Sequence, residues 1–330
     1  MSTLNRNNKQ LALTKKYLFI CEGMSTEPDY IEGVIRNRYN LGISSILELN
    51  PIPKLKMDAN ESDIGRLIKI AKDYVNYCGK GIMSRRLAVT LTFESAYEKL
   101  MESDKFNNVK NDNAFLRNLR NDIDLRLDGA GIPEGNIENS DLHRLCGVCR
   151  DVFEEQFKIQ MDDCLKPSSL KKVPVVDGDT ICIIHDRDYD SRYFSDAKYK
   201  DACHKIDVLN RGNIQYQLII TYPKFEFWML LHSTRFDMSK LNYSKLKQYP
   251  GTSKYVDDLI ETYLDIWIEG SKKRIDPRKF DLNLRPNINR AIANSYNPKL
   301  VTDVIDLCNN PGTLMGKLMD DLINISHSQK

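Results

Sequence analysis

The sequence predicts an α/β fold: a parallel sheet flanked by helices, with a helical insertion and a helical C-terminal region. Three observations carry this. Ile181-Cys182-Ile183-Ile184 is an unbroken apolar run that ends abruptly in His185-Asp186-Arg187-Asp188-Tyr189-Asp190. A short β-branched run without polar alternation reads as a strand buried on both faces, as parallel sheets require. Lys15-Lys16-Tyr17-Leu18-Phe19-Ile20-Cys21 is a second such run, broken by Glu22-Gly23. Finally, Ile64, Leu67, Ile68, Ala71, Tyr74 and Val75 recur at steps of three and four, so residues 62–78 form an amphipathic helix closing a βαβ unit.

In chain order, Gly23 lets the backbone turn sharply after the first strand. Ser25 or Thr26 then reads as an N-cap, with Glu27 and Pro28 in the first helical turn and Tyr30-Ile31-Val34-Ile35 as the apolar stripe. Ile46-Leu47-Glu48-Leu49, ahead of Pro51 and Pro53, is a short second strand. After Gly79 and Gly81 the chain runs from 82 to 176 before the next strand. Such connections usually take about 2–6 residues, so this stretch reads as an inserted subdomain, helical over Ala96–Met101, Phe115–Leu127 and Leu142–Ile159. A helix over Tyr193–Leu209, a fourth strand at Tyr216–Ile220 and an apolar helix over Phe225–Leu231 follow. Further helices are expected at Lys254–Trp267, Ile288–Asn294 and Leu314–Ile325, punctuated by Pro250-Gly251, Pro277, Pro286 and Pro298. The expected units are a first half of the core (15–81), the insertion (82–176), a second half of the core (177–234) and a C-terminal region (235–330).

Ligands of open α/β sheets bind beyond the carboxyl ends of the strands. Asp186 and Asp188 stand at that place, and Glu22 ends the first strand. If the two strands are neighbours, the three carboxylates form one acidic triad. Carboxylates so close repel unless a divalent cation lies between them, and hard oxygen donors suit Mg²⁺ or Mn²⁺. The plainer alternative is a loop of capping aspartates, Asp190 included. Glu226 either meets the positive pole of its own helix or enters the site from the end of the fourth strand. His232, at the far end of that helix, reads as a cap or core contact rather than a ligand. Lys224, Lys15 and Lys16 are candidates to stabilise transition-state charge. Arg187 is either a phosphate partner or a brace for its acidic neighbours.

His143, Cys146, Cys149 and Cys164 have zinc-ligand types. Against that, Leu142, Leu145, Val148, Cys149, Val152 and Phe153 fall at helical spacing, which makes the cysteines part of a buried helix face. The formal net charge of +2 gives no global field for nucleic acid. Lys15-Lys16, Arg85-Arg86, Lys171-Lys172 and Lys272-Lys273-Arg274 are local basic candidates, or ordinary solvated surface. No apolar stretch approaches the ~20 residues that span a bilayer. Met1 to Gln10 is polar and lacks an apolar signal core, so a cytoplasmic location is expected.

Four motifs in one order carry a family resemblance. Cys21-Glu22-Gly23-x-x-Thr26-Glu27-Pro28-x-Tyr30 resembles the opening of the RloB-like family, and His185-Asp186-Arg187-Asp188 is similar to its Asp-Arg-Asp motif. Pro223-x-Phe225-Glu226-x-Trp228-x-Leu230-Leu231-His232 looks like the third signature, and Asn310-Pro311-Gly312-Thr313 resembles the last. The order of elements is similar to a Toprim domain. The resemblance covers residues 15–81 and 177–234 well and the remainder poorly. It implies a Toprim-like Rossmannoid sheet and a metal-dependent nuclease related to the overcoming-lysogenization-defect enzymes of bacterial anti-phage systems. It is consistent with Glu22, Asp186 and Asp188 as catalytic and metal-binding residues; Glu226, Asp190, Lys224 and Glu27 are additional site candidates. Mg²⁺ or Mn²⁺ would be the cofactor. RNA, tRNA or DNA would be the substrate, and an ATPase or a second copy of the chain the protein partner. The rival expectation is a catalytically silent Toprim scaffold that regulates a partner ATPase. A receiver-like phosphotransferase fits less well, because its acidic pair follows strand one.

Overall fold

The computed structural model describes residues 15–23, 25–52, 63–110, 112–161, 165–170, 173–187, 196–247, 252–271, 273–308 and 310–325. The first half contains β1 (Lys15–Cys21), α1 (Thr26–Arg36), β2 (Leu47–Pro51) and α2 (Ile64–Lys80). Then come α3 (Arg85–Leu100), α4 (Asp104–Val109), α5 (Asn113–Gly129) and α6 (Asn139–Phe157). The second half supplies β3 (Thr180–Asp186), α7 (Asp196–Leu209), β4 (Gln215–Tyr222) and α8 (Phe225–Leu230). The C-terminal region adds α9 (Tyr243–Lys247), α10 (Thr252–Tyr263), α11 (Pro277–Lys279), α12 (Ile288–Ser295), β5 (Gly312–Thr313) and α13 (Met315–Asn324).

The sheet order is β2-β1-β3-β4-β5, and the first four strands are parallel. Leu18, Ile20, Ile181, Cys182, Ile183 and Ile184 are all fully buried, which is why these strands show no polar alternation. Chain direction across the sheet reverses at β1. From β1 the chain passes through α1 to β2 on one side, whereas β3 lies on the other. The carboxyl ends of β1 and β3 therefore flank the topological switch point, where such sheets open a crevice.

The two-residue β5, antiparallel to β4, is not foreseen from the sequence. It lies within Asn310-Pro311-Gly312-Thr313 and is held by Thr221 Oγ1 against Thr313 Oγ1 at 2.9 Å and by the Leu314 N–H on Ile220 O at 2.9 Å. Two residues carry no periodicity, so only a motif marks the place.

Local chemistry sets the helix ends. Asp63 caps α2 by accepting the Gly65 N–H at 2.7 Å, and Gly81 ends it in the left-handed region at φ 69°. Ser84 caps α3 through the Leu87 N–H, and Asp112 caps α5. The segment between α2 and β3 is helical over α3 to α6, and its buried Phe93, Phe106 and Phe153 belong to the same continuous apolar core as the sheet.

Two expectations from this segment change. Arg85 is not a surface cation. It is 6 % exposed and spends its charge on Asp128 Oδ1 at 2.6 Å and on Ile132 O at 3.0 Å, so Arg85-Arg86 is not an open basic pair. Lys171-Lys172 lies outside the described residues. The histidine–cysteine cluster is also resolved in part. Cys146 and Cys149 lie on the buried face of α6, His143 is exposed, and burial raises the Cys149 thiol pKa. Cys164 lies outside the described residues.

The helix expected over Lys254–Trp267 ends at Tyr263. Ile266 and Trp267 instead enter a short hairpin in which Trp267 bridges Ile275. Val256, Ile260 and Leu264 are buried at helical spacing, and Ile266 continues the run by strand alternation. Among the described residues, no helix is long and apolar enough to cross a membrane.

Candidate active site

Glu22 follows β1 directly, and its N–H donates to Ile184 O at 2.9 Å, extending the β1–β3 ladder by one rung. Its carboxylate turns back toward β3. Glu22 Oε2 accepts the Asp186 N–H at 2.8 Å and lies 3.3 Å from His185 Nδ1. The first and second motifs thus meet at the switch point. Asp186 is partly exposed at the end of β3. Asp188 and Asp190 lie outside the described residues.

Glu27 sits behind this pair. Its Oε1 accepts the Gly23 N–H at 3.2 Å. A Cβ at Gly23 would stand 2.1 Å from Glu27 Oε2, so the carboxylate occupies the space that glycine leaves. Burial pushes the Glu27 carboxyl up to about 7, with the charges of Glu226 and Glu22 adding to the rise.

The third motif arrives from β4. Glu226 opens α8, and its Oε1 accepts from the Thr26 hydroxyl at 3.4 Å while Oε2 lies 3.9 Å from Lys224 Nζ. Lys224 Nζ also donates to Asp257 Oδ1 at 2.6 Å. Burial pulls the Lys224 ammonium down, but Glu226 and Asp257, with Asp186 beyond, outweigh that and hold it above its ordinary value. Glu226 is therefore more than a helix-dipole partner. It is a member of a carboxylate cluster with one lysine lodged in it.

The apolar residues of the same motifs hold this arrangement. Tyr30 is enclosed by Phe225, Trp228, His232 and Phe280, with ring centroids 5.5–6.2 Å away. The His232 Nδ1–H donates to Trp228 O at 3.2 Å, leaving Nε2 to accept the Tyr30 hydroxyl at 3.2 Å. Burial pulls the imidazole down to about 4. His232 is a neutral core residue, as its position at the helix end suggests.

A pH test follows. Above pH ~6.5, the ordinary histidine value, His232 is neutral in the folded and unfolded chain alike. As pH falls below that, only the unfolded chain gains the proton, so stability is lost progressively until pH about 4. The total loss is about 3 kcal/mol. Urea midpoints at pH 7 and pH 4.5 should diverge more for the wild type than for His232→Gln, and equal divergence would mean that His232 titrates freely in the fold.

Several candidates sit elsewhere. Lys15 and Lys16 are at the opposite end of β1 from Glu22, with Lys16 Nζ on Pro174 O at 2.8 Å. Arg187 is 2 % exposed, its guanidinium 5.5 Å from the Tyr199 ring centroid, so it is buried against α7 rather than open to a phosphate. Ser25, not Thr26, occupies the N-cap position, and the Thr26 hydroxyl lies between Lys273 O at 3.0 Å and Glu226 Oε1 at 3.4 Å. Sequence reading missed His185, Thr26 and Asp257 as site residues. His185 and Thr26 stand inside the motifs and could have been found there, whereas Asp257 comes from α10 without any local signal.

The donor chemistry suits a hard divalent cation: the converging groups are carboxylates with no thiolate among them. Glu22 and Asp186 supply two donors, and among the described residues no three such groups converge closely enough to cage an ion.

An α/β protein with carboxylates gathered at its switch point is the class that fold and site define. The family model for RloB-like proteins matches residues 137–322, more than half of the chain. The chain belongs to the RloB-like family. The matched span contains Asp186, Lys224 and Glu226 and stops short of Glu22 and Glu27. No curated protein and no solved structure matches the chain.

Proposed function

We propose that this protein is a metal-dependent Toprim-type nuclease that hydrolyses phosphodiesters of RNA, tRNA or DNA as a toxic effector in anti-phage defence, under the control of an ATPase partner. The observation that carries this reading is the hydrogen bond from the Asp186 N–H to Glu22 Oε2. It joins two carboxylate-bearing loops at the switch point, the place where α/β sheets bind ligands. Family membership and the motif resemblance support the same reading.

Glu22, Asp186 and Asp188 are the residues that would hold Mg²⁺ or Mn²⁺. A bound ion supplies neutralisation of phosphate charge and Lewis-acid polarisation. The chain's own residues do the positioning. The Asp186 N–H holds the Glu22 carboxylate in place, and Asp257 and Glu226 tether the Lys224 ammonium within electrostatic reach of Asp186, where it can stabilise charge developing on a phosphoryl oxygen. Because Lys224 is already tethered, little reorganisation is needed at the moment of reaction.

Titrating Mn²⁺ calorimetrically into the wild type and into Asp186→Ala/Asp188→Ala should give binding only in the former. Metal-dependent cleavage of end-labelled RNA or DNA should disappear in parallel. Equal Mn²⁺ binding in both proteins would place the ion elsewhere. Binding without any cleavage would favour the silent scaffold.

A further inference from the structure

Residues 264–271 and 273–276 form the two arms of a tight hairpin fastened to the first turn of α1. The Asp276 N–H donates to Ile266 O at 2.9 Å, and the Ile268 N–H donates to Arg274 O at 3.0 Å. Gly270 makes the turn at φ 77°, where a side chain would be strained. Ser271 Oγ accepts the N–H groups of Lys273 and Arg274 at 3.3 and 3.2 Å. Asp29 Oδ2 then pins the returning arm, accepting from Arg274 Nε at 2.8 Å and from the Ile275 N–H at 2.9 Å. The Thr26 hydroxyl lies 3.0 Å from Lys273 O and 3.4 Å from Glu226 Oε1. One hydroxyl therefore separates the Lys273 backbone from the carboxylate cluster.

The two basic residues differ in what their charges do. Arg274 is committed to Asp29. Lys273 is exposed, and among the described residues its ammonium makes no ion pair. Its backbone is fixed on both sides and lies at the rim of the site through Thr26, while its side chain is exposed to solvent. Glu269, on the other arm of the hairpin, is exposed as well.

We propose that Lys273 is a contact for the phosphodiester backbone of a nucleic-acid strand and holds that strand across the Glu22–Asp186 edge. This rests on the nuclease reading above. A polyanion approaching Glu22, Asp186 and Glu226 meets like charge, and a net charge of +2 for the whole chain offers no compensating field. A cation at the rim supplies local attraction. Because the hairpin is pinned, little main-chain freedom is lost on binding.

The test is fluorescence anisotropy with labelled single-stranded 20-mer RNA and DNA, without added metal, over a salt series. The full-length wild type is compared with Lys273→Glu, Lys273→Arg and Arg117→Glu, the last an equal charge change at an exposed position of α5. Lys273→Glu should weaken binding several-fold and make the slope of log affinity against log salt shallower by roughly 0.7, one phosphate contact. Lys273→Arg should restore both, Arg117→Glu should leave both near wild type, and thermal midpoints should agree among all four. If Lys273→Glu binds like the wild type, or Arg117→Glu weakens binding equally, the assignment of Lys273 is overturned while the nuclease reading stands. If the wild type binds neither oligonucleotide, the nuclease reading falls and takes this contact with it.

Discussion

Replacing Glu22 with glutamine is expected to abolish activity while leaving the fold intact. Glutamine keeps the size of the side chain and an amide oxygen that can still accept the Asp186 N–H now held at 2.8 Å. What it removes is the charge that the proposed divalent cation would need. Metal-dependent cleavage should fall by about 10²–10³ or more, the scale seen when one charge-stabilising group is deleted. Growth arrest on expression of the active protein should be relieved. The thermal midpoint and the circular dichroism spectrum should stay at wild-type values. Cleavage or growth arrest persisting in a folded Glu22→Gln protein would remove Glu22 from the catalytic set.

The second large effect is structural and falls in the last motif. A Cβ on Gly312 would stand 2.0 Å from Val301 O and 2.9 Å from Val301 N. Both are backbone atoms, so no side-chain rotation relieves the clash. The same backbone carries the hydrogen bond from the Val301 N–H to Pro311 O at 3.0 Å and presents Thr313 to Thr221. Gly312→Ala should therefore cost on the order of 3 kcal/mol and lower the thermal midpoint by roughly 4 °C. Gly129→Ala, where the added methyl meets open space at the end of α5, should leave the midpoint unchanged or slightly higher. A Gly312→Ala midpoint equal to the wild type would mean that the Val301 backbone shifts freely, and with it the edge of the sheet.

Much of the core is legible because its chemistry is local. The apolar runs around Ile20 and Ile183 have no polar alternation, and only doubly covered strands tolerate that. Glu22 and Asp186 stand out because a carboxylate ending such a run is chemically abrupt. Other features depend on tertiary placement, which periodicity does not encode. Arg85 looks like a surface charge until Asp128 and the carbonyl of Ile132 meet it from across the fold. The stretch from Lys254 to Trp267 mixes two periods, so the change from helix to hairpin after Tyr263 passes unnoticed. Asp257 becomes a site residue only because α10 brings it within 2.6 Å of Lys224 Nζ. Motif spelling recovers some of this: the Thr26-Glu27 pair and the Phe225-to-His232 run look unrelated in sequence, and Tyr30 is where they meet.

Tyr30 also ties the site to the order in which the chain is made. Glu22 and Asp186 are 164 positions apart, Thr26 and Glu226 are 200, and Thr26 and Lys273 are 247. Phe280, which packs edge-on against Tyr30 and against Gly33 of the same helix, comes later still. At about 5–20 residues per second of synthesis, the loop bearing Glu22 waits many seconds for Asp186 and longer for the aromatic cage that fixes α1 against α8. A ribosome-bound or truncated chain that stops before Phe280 carries its carboxylates without the wall that aligns them. If the protein harms its own cell as proposed, a chain ended before Phe280 should be harmless, because one wall of the Tyr30 cage is missing.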